Sequence, residues 1–190
     1  MSGRPPHLVI LGRQGSGKGT QCLRLVDHYG TLHVSTGDML RAAIAAGTDL
    51  GRKAEPLMKA GELVPDSIMK GVAAERLAQP DIKKCGVLLD GFPRTVAQAD
   101  ALERILGKGG IDAAINLDVP VAVVTERMLK RGREDDTPEA IARRLALYEE
   151  QTAPLVEWFE DRGVLVTVDG LGTEDEVFAR LRAAIDARRS

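Results

Sequence analysis

The chain has 190 residues and a formal net charge of −2, a length that suits one globular domain with a small insertion. With 44% hydrophobic and 28% charged residues it is not a disordered chain, and its near-neutral balance argues against bulk nucleic-acid binding, which needs a large basic excess. Arg outnumbers Lys 18 to 8, the bias of a protein that grips carboxylate or phosphate with two prongs.

From the N-terminus, His7-Leu-Val-Ile-Leu11 is a short apolar run ending at Gly12, predicted to be a buried strand. A glycine-rich segment, Gly12-Arg-Gln-Gly-Ser-Gly-Lys18-Gly-Thr20, follows and opens a helix near Gly17. Leu32-His-Val34 is a weaker strand signal. Residues 36–80 carry helical patterns and little strand signal, which reads as a helical insertion at one edge. Three more apolar runs, 87–89, 113–117 and 164–168, precede Asp90, Asp118 and Asp169. Residues 121–131 space Val and Met for one helical face. Thr137-Pro138 is a helix cap with proline at the first helical position. The helix it starts should run to about Phe159, with Pro154 kinking or ending it. Thr173-Glu-Asp-Glu176 is a capping box for a final helix. Strands alternating with helices predict an α/β fold around a parallel sheet, and ligands of such sheets sit where the strands end.

No apolar run reaches the length of a membrane helix, and Leu8 to Leu11 is too short for a signal-peptide core. Cys22 and Cys85, with 62 residues between them, fit no metal or redox spacing and read as reduced thiols of a cytoplasmic protein. His7, His28 and His33 give no zinc pattern and read as surface or satisfied interior groups. With six aromatic residues in all, the core must rest on Leu, Val, Ile and Ala.

The strand, Gly-x-x-x-x-Gly-Lys, helix arrangement points to phosphate binding. Its glycines let successive N–H groups curl inward, the helix start adds its positive dipole end, and Lys18 supplies a mobile charge for the β- and γ-phosphates. The alternative is a glycine-rich turn with an incidental lysine. Thr20 stands one place later than the usual hydroxyl after the lysine. Asp90, at the end of an apolar strand, is a candidate to hold Mg2+ through water, or else a turn or cap acid. Ser35-Thr-Gly-Asp-Met-Leu-Arg41 and Asp90-Gly-Phe-Pro-Arg94-Thr95 each join small residues to an arginine. Gln98 lies one helical turn past Arg94, and an amide can pair two-pronged with an adenine edge. Arg127, Arg131, Arg133 and Arg144 cluster around Arg133-Glu-Asp-Asp136.

These pieces, together with Asp118-Val-Pro120 and Tyr148, resemble the adenylate kinases of the nucleoside monophosphate kinase family, over nearly the whole chain. The resemblance implies a P-loop NTPase-type three-layer α/β/α fold with a five-stranded parallel sheet. It implies a core of residues 1–35, 66–130 and 138–190, a helical NMP-binding segment at about 36–65 and a short lid at about 131–137. The implied reaction is reversible, Mg-dependent transfer of the ATP γ-phosphoryl group to AMP, giving two ADP, in nucleotide homeostasis and purine salvage.

The family's pattern assigns ATP to Gly15, Ser16, Gly17, Lys18, Gly19, Thr20, Arg127, Arg131 and the backbone near Gly172. It assigns AMP to Thr36, Arg41, Glu62, Leu63, Val64, Gly91, Phe92, Pro93, Arg94, Gln98, Arg133 and Arg144. Lys18, Arg94, Arg127, Arg133 and Arg144 would neutralise the phosphates in transfer, and Asp135 and Asp136 would hold the lid shut against the arginines. Two departures stand out. Gln14 occupies a place where many relatives have proline. The lid is short and carries no cysteines, which implies no structural zinc. The expected partners are small nucleotides, with no nucleic acid and no membrane, acting on a cytoplasmic monomer. The rivals are a UMP or CMP kinase on the same fold, a nucleotide-dependent switch, and a scaffold with a decayed site. Thr36 and Gln98 favour AMP, and a full second anion site disfavours the switch.

Overall fold

A computed structural model describes residues 5–60, 64–107, 110–132 and 136–189. Five parallel strands form one sheet in the order β2-β3-β1-β4-β5. They are β1 (His7–Leu11), β2 (Leu32–Ser35), β3 (Val87–Asp90), β4 (Ala113–Asp118) and β5 (Leu165–Asp169). The weak run at Leu32 is thus a full edge strand. Asp90, Asp118 and Asp169 are the last residues of their strands.

Alternation along each strand sends side chains to two faces. Val9, Leu11, Val87, Leu89 and Ala114 enter one core, while Leu8, Ile10, Leu88, Ile115 and Leu117 enter the other. Burial on both faces is what a helix-covered parallel sheet requires. The second core is closed by Leu25 of α1 (Lys18–Tyr29) and by Val177, Leu181 and Ile185 of α9 (Glu174–Arg189). The first takes residues from α2 (Thr36–Ala45), α3 (Asp49–Ala60), α4 (Asp66–Leu77), α5 (Pro80–Cys85), α6 (Val96–Leu106) and α8 (Pro138–Asp161). A small third cluster joins Val124 and Met128 of α7 (Val121–Arg131) to Ile141 and Leu145 of α8.

Chain order places the site. From β1 the chain crosses to β2 on one side, and from β3 it crosses to β4 on the other. The crevice outside the carboxyl ends of β1 and β3 is therefore the topological switch point, where α/β sheets bind ligands. The glycine-rich loop leaves β1 there and the Asp90–Arg94 loop leaves β3 beside it.

Two helix starts match their sequence signals. Thr137 accepts from Ala140 N, and Thr173 Oγ1 accepts from Glu176 N while the Glu176 carboxylate accepts from Thr173 N. Pro154 neither ends nor interrupts α8, which runs on to Asp161. The buried Leu155, Trp158 and Phe159 hold its last two turns on the core, and packing outweighs the one backbone bond that proline cannot make.

Candidate active site

The loop after β1 is wedged against α7. Gly15 adopts a φ of 85°, and a Cβ there would lie 3.0 Å from the Val124 carbonyl oxygen and 3.1 Å from Met128 Cγ. Gly17 caps α1 with no side-chain hydrogen bond, which leaves the first-turn N–H groups to an anion. Ser16 Oγ is buried in the loop without a hydrogen-bond partner, an orphan that a phosphate oxygen would satisfy. Lys18 Nζ donates to the carbonyls of Gly12 at 2.5 Å and Arg13 at 3.3 Å. Burial lowers the Lys18 pKa, against the opposing attraction of Asp90.

Asp90 pairs in register with Ile10 and Ser35 at the strand ends. Burial works to raise its carboxyl, but the hydrogen bond from His33 and the Lys18 charge outweigh it and hold the pKa below the ordinary value. His33 Nε2 lies 3.4 Å from Asp90 Oδ2, and that contact raises the histidine. With Cys22 Sγ, these atoms form a group within 4.8 Å of one another. Spacing along the chain did not bring them together, because β2, β3 and α1 meet only in the fold. Burial pushes the Cys22 thiol up to about 12, and a thiol is a soft donor that Mg2+ does not favour. Asp90 alone offers the hard oxygen that Mg2+ prefers.

The second half of the crevice is built on α2 and the loop after β3. Thr36 Oγ1 donates to the Gly91 carbonyl at 2.7 Å, and Arg94 Nε donates to the same oxygen at 2.9 Å. Gly91 has a φ of 79°, and a Cβ there would lie 3.1 Å from Thr36 Oγ1 and 3.3 Å from an Arg94 nitrogen. The two side chains thus converge on one backbone turn. Arg41 is exposed and donates to Asp38 at 2.6 Å, its guanidinium lying over Gly37. Phe92 is 1% exposed within the core, so it has only backbone to offer a ligand. Thr36, Val64, Gly91, Arg94 and Gln98 all border a cleft of about 380 Å3, at the small end of ligand pockets.

Further arginines flank the segment expected to be a short lid. Arg127 Nη1 reaches the Gly15 and Ser16 carbonyls at 3.5 Å. Arg131 grips Asp136 with two bonds of 3.0 Å, and Arg144 donates to the same carboxylate at 3.1 Å. The Asp136 side chain is 0% exposed. It joins the end of α7 to the second turn of α8. Near Gly172, Arg180 donates to the carbonyls of Asp169 and Leu171 at 2.9 and 2.6 Å. Glu62, Leu63, Arg133 and Asp135 lie outside the described residues.

Three contributors had no local signal in the sequence. Asp66 and Gln151 line the cleft, and Asp66 bonds both Thr95 and Gln98. Arg13, inside the phosphate loop, donates to Glu149 at 2.7 Å, Asp118 at 3.2 Å and the Val119 carbonyl at 3.0 Å. It thereby ties the loop to β4 and α8.

The family model described as Adenylate kinase matches residues 10–164. The chain is 52% identical over 187 residues to an adenylate kinase of Stenotrophomonas maltophilia (strain K279a), covering 95% of this chain and 100% of that one. It is 50% identical over 185 residues to those of S. maltophilia (strain R551-3) and Xanthomonas axonopodis pv. citri (strain 306), covering 94% of this chain and 98% of each.

Proposed function

The chain belongs to the adenylate kinase family, enzymes of phosphoryl transfer between adenine nucleotides, and we propose that it moves the γ-phosphoryl group of Mg·ATP reversibly to AMP, giving two ADP. The observation that carries this reading is the pairing at one switch point of the Lys18 loop with a second cationic turn, Gly91–Arg94, beside a nucleotide-sized cleft.

Phosphoryl transfer asks for positioning and charge neutralisation more than covalent help. The acceptor is a phosphate oxygen whose second pKa is about 6, so it is already ionised at neutral pH and needs no general base. The work left to the protein is to hold two polyanions in line against their repulsion. Lys18 and the α1 N-terminus take the β- and γ-phosphates, with Ser16 Oγ donating to one of them. Arg41 and Arg94 take the AMP phosphate, and Gln98 reads the adenine. Arg127, Arg131, Arg133 and Arg144 close over the transferring group. Mg2+ enters with ATP as part of the substrate, with the Asp90 carboxylate to receive it through water. Residues 36–65 and 131–137 close to exclude water, the competing acceptor, and their reopening limits turnover. Nucleotide homeostasis and salvage follow from the reaction, in a cytoplasmic monomer without structural zinc. Among the described residues no helix is long and apolar enough to cross a membrane.

The test is to supply the pure protein with Mg·ATP and each nucleoside monophosphate in turn and measure ADP. AMP is expected to be the preferred acceptor. Activity with CMP or UMP alone would overturn the AMP assignment, and transfer to no acceptor would overturn the kinase reading.

A further inference from the structure

The Gln98 amide sits between two partners that can each play only one part. Its Oε1 accepts from the Arg94 backbone N–H at 2.9 Å, and its Nε2 donates to Asp66 Oδ1 at 2.6 Å. A backbone N–H only donates and a carboxylate only accepts. A glutamine amide is otherwise ambidextrous, since turning it over exchanges donor and acceptor with no change of shape. Here the turned amide would set its oxygen against the carboxylate and its NH2 against an N–H, so one orientation is enforced.

The carboxylate is itself held. Asp66 is the first residue of α4, where the helix dipole favours an anion. Its other oxygen accepts from Thr95 Oγ1 at 3.0 Å, and Thr95 caps α6 by accepting from Gln98 N. The starts of α4 and α6 are thereby stitched together at the side chain that faces the cleft. Gln98 is only 5% exposed. After both bonds its amide keeps one N–H and one oxygen lone pair, and both Gln98 and Asp66 border the cleft.

We infer that Asp66 is a base-specificity residue, which fixes the Gln98 amide so that the cleft accepts a 6-amino purine and rejects a 6-oxo purine. Adenine offers an acceptor at N1 and a donor at N6, the complement of the remaining N–H and lone pair. A 6-oxo purine offers the reverse order, a donor at N1 and an acceptor at O6, and meets donor with donor. Asp66 acts through Gln98 and touches no reacting atom, so it is a positioning residue. The inference rests on the reading that this cleft takes AMP.

The experiment compares AMP with IMP, which differs in the polarity of that edge, as acceptors for the wild type, Asp66→Ala and Asp66→Asn. A site built around such hydrogen bonds discriminates strongly, and the wild type is expected to prefer AMP in kcat/KM by at least about 100-fold. In Asp66→Ala only the Arg94 N–H still orders the amide, so the preference should fall about tenfold, the scale of one hydrogen bond. KM for AMP should rise about tenfold, while kcat stays within about threefold and KM for ATP is unchanged. Asp66→Asn keeps an oxygen that can accept from Gln98 and should retain the preference within about threefold.

An unchanged preference in Asp66→Ala, or an Asn variant as impaired as the Ala variant, would overturn the inference and leave the AMP assignment standing. A wild type that does not distinguish AMP from IMP would likewise overturn the inference, whereas a wild type that uses neither would overturn the AMP assignment itself. Should Asp66→Ala not fold, nitrogen-15 NMR of the wild-type side-chain amides supplies the test. One Gln98 amide proton should be protected from exchange before nucleotide is added, and two freely exchanging protons would overturn the inference.

Discussion

Replacing Asp136 by alanine is expected to cost this protein about 2–4 kcal/mol of stability, much of it through a repulsion that the carboxylate now cancels. The side chain is 0% exposed and, among the described residues, accepts three bonds from the guanidinium groups of Arg131 and Arg144. Arg131 and Arg144 share the same oxygen, Oδ1, at 3.0 and 3.1 Å, so their charged nitrogens stand no more than about 6 Å apart. With a dielectric of about 40, between the surface value and bulk water, two such charges repel by about 1.4 kcal/mol. To this is added the loss of charge-assisted hydrogen bonds, each worth about 1.5–3 kcal/mol at full strength. The arginine side chains are 31% and 27% exposed, so they recover part of that loss from water. The total falls below the upper end of the range for a fully buried broken pair. For a chain of this size it corresponds to a fall in Tm of about 5–12 °C. Urea unfolding of the wild type and Asp136→Ala measures the difference. A second Arg144→Ala substitution should restore part of it, and high salt should narrow it by screening the residual charges. A loss below about 1 kcal/mol, or one indifferent to both salt and the second substitution, would refute this account of the pin between α7 and α8.

Three further substitutions separate the chemistry from the scaffold. Arg94→Ala should lose about 2–4 kcal/mol of transition-state stabilisation, with Lys18→Ala at least as damaging; in steady-state kinetics a loss under tenfold for Arg94→Ala would argue against a phosphate role. Arg13→Ala should cost about 1–2 kcal/mol of folding stability, one carbonyl bond and two ion pairs with half-exposed acids, measured by urea unfolding; a variant as stable as the wild type would show that the tie from the phosphate loop to α8 carries no weight.

What could be read from the sequence was whatever local spacing encodes. The apolar run before Gly12, the loop to Lys18 and the helix after it are consecutive, so strand, cradle and helix start were legible together. The same holds for the caps at Thr137 and Thr173. What escaped depends on partners distant along the chain. Asp66 meets Gln98 across 32 residues and Arg13 meets Glu149 across 136, and no spacing rule joins such pairs. His33 was read as a surface or satisfied interior group, and it is satisfied, by Asp90 from the neighbouring strand. Pro154 does not end α8, because the local rule for proline knows nothing of Trp158 and Phe159 anchoring the turn beyond it. The expectations for Glu62, Leu63, Arg133 and Asp135 fall outside the described residues.

The most direct test of the central claim follows the phosphoryl group itself. ATP labelled in its γ-phosphate is incubated with Mg2+, AMP and the protein, and the labelled products are separated at early times. Direct transfer between two facing sites predicts label in the β-phosphate of ADP and almost none in inorganic phosphate. Label released chiefly as inorganic phosphate would contradict it.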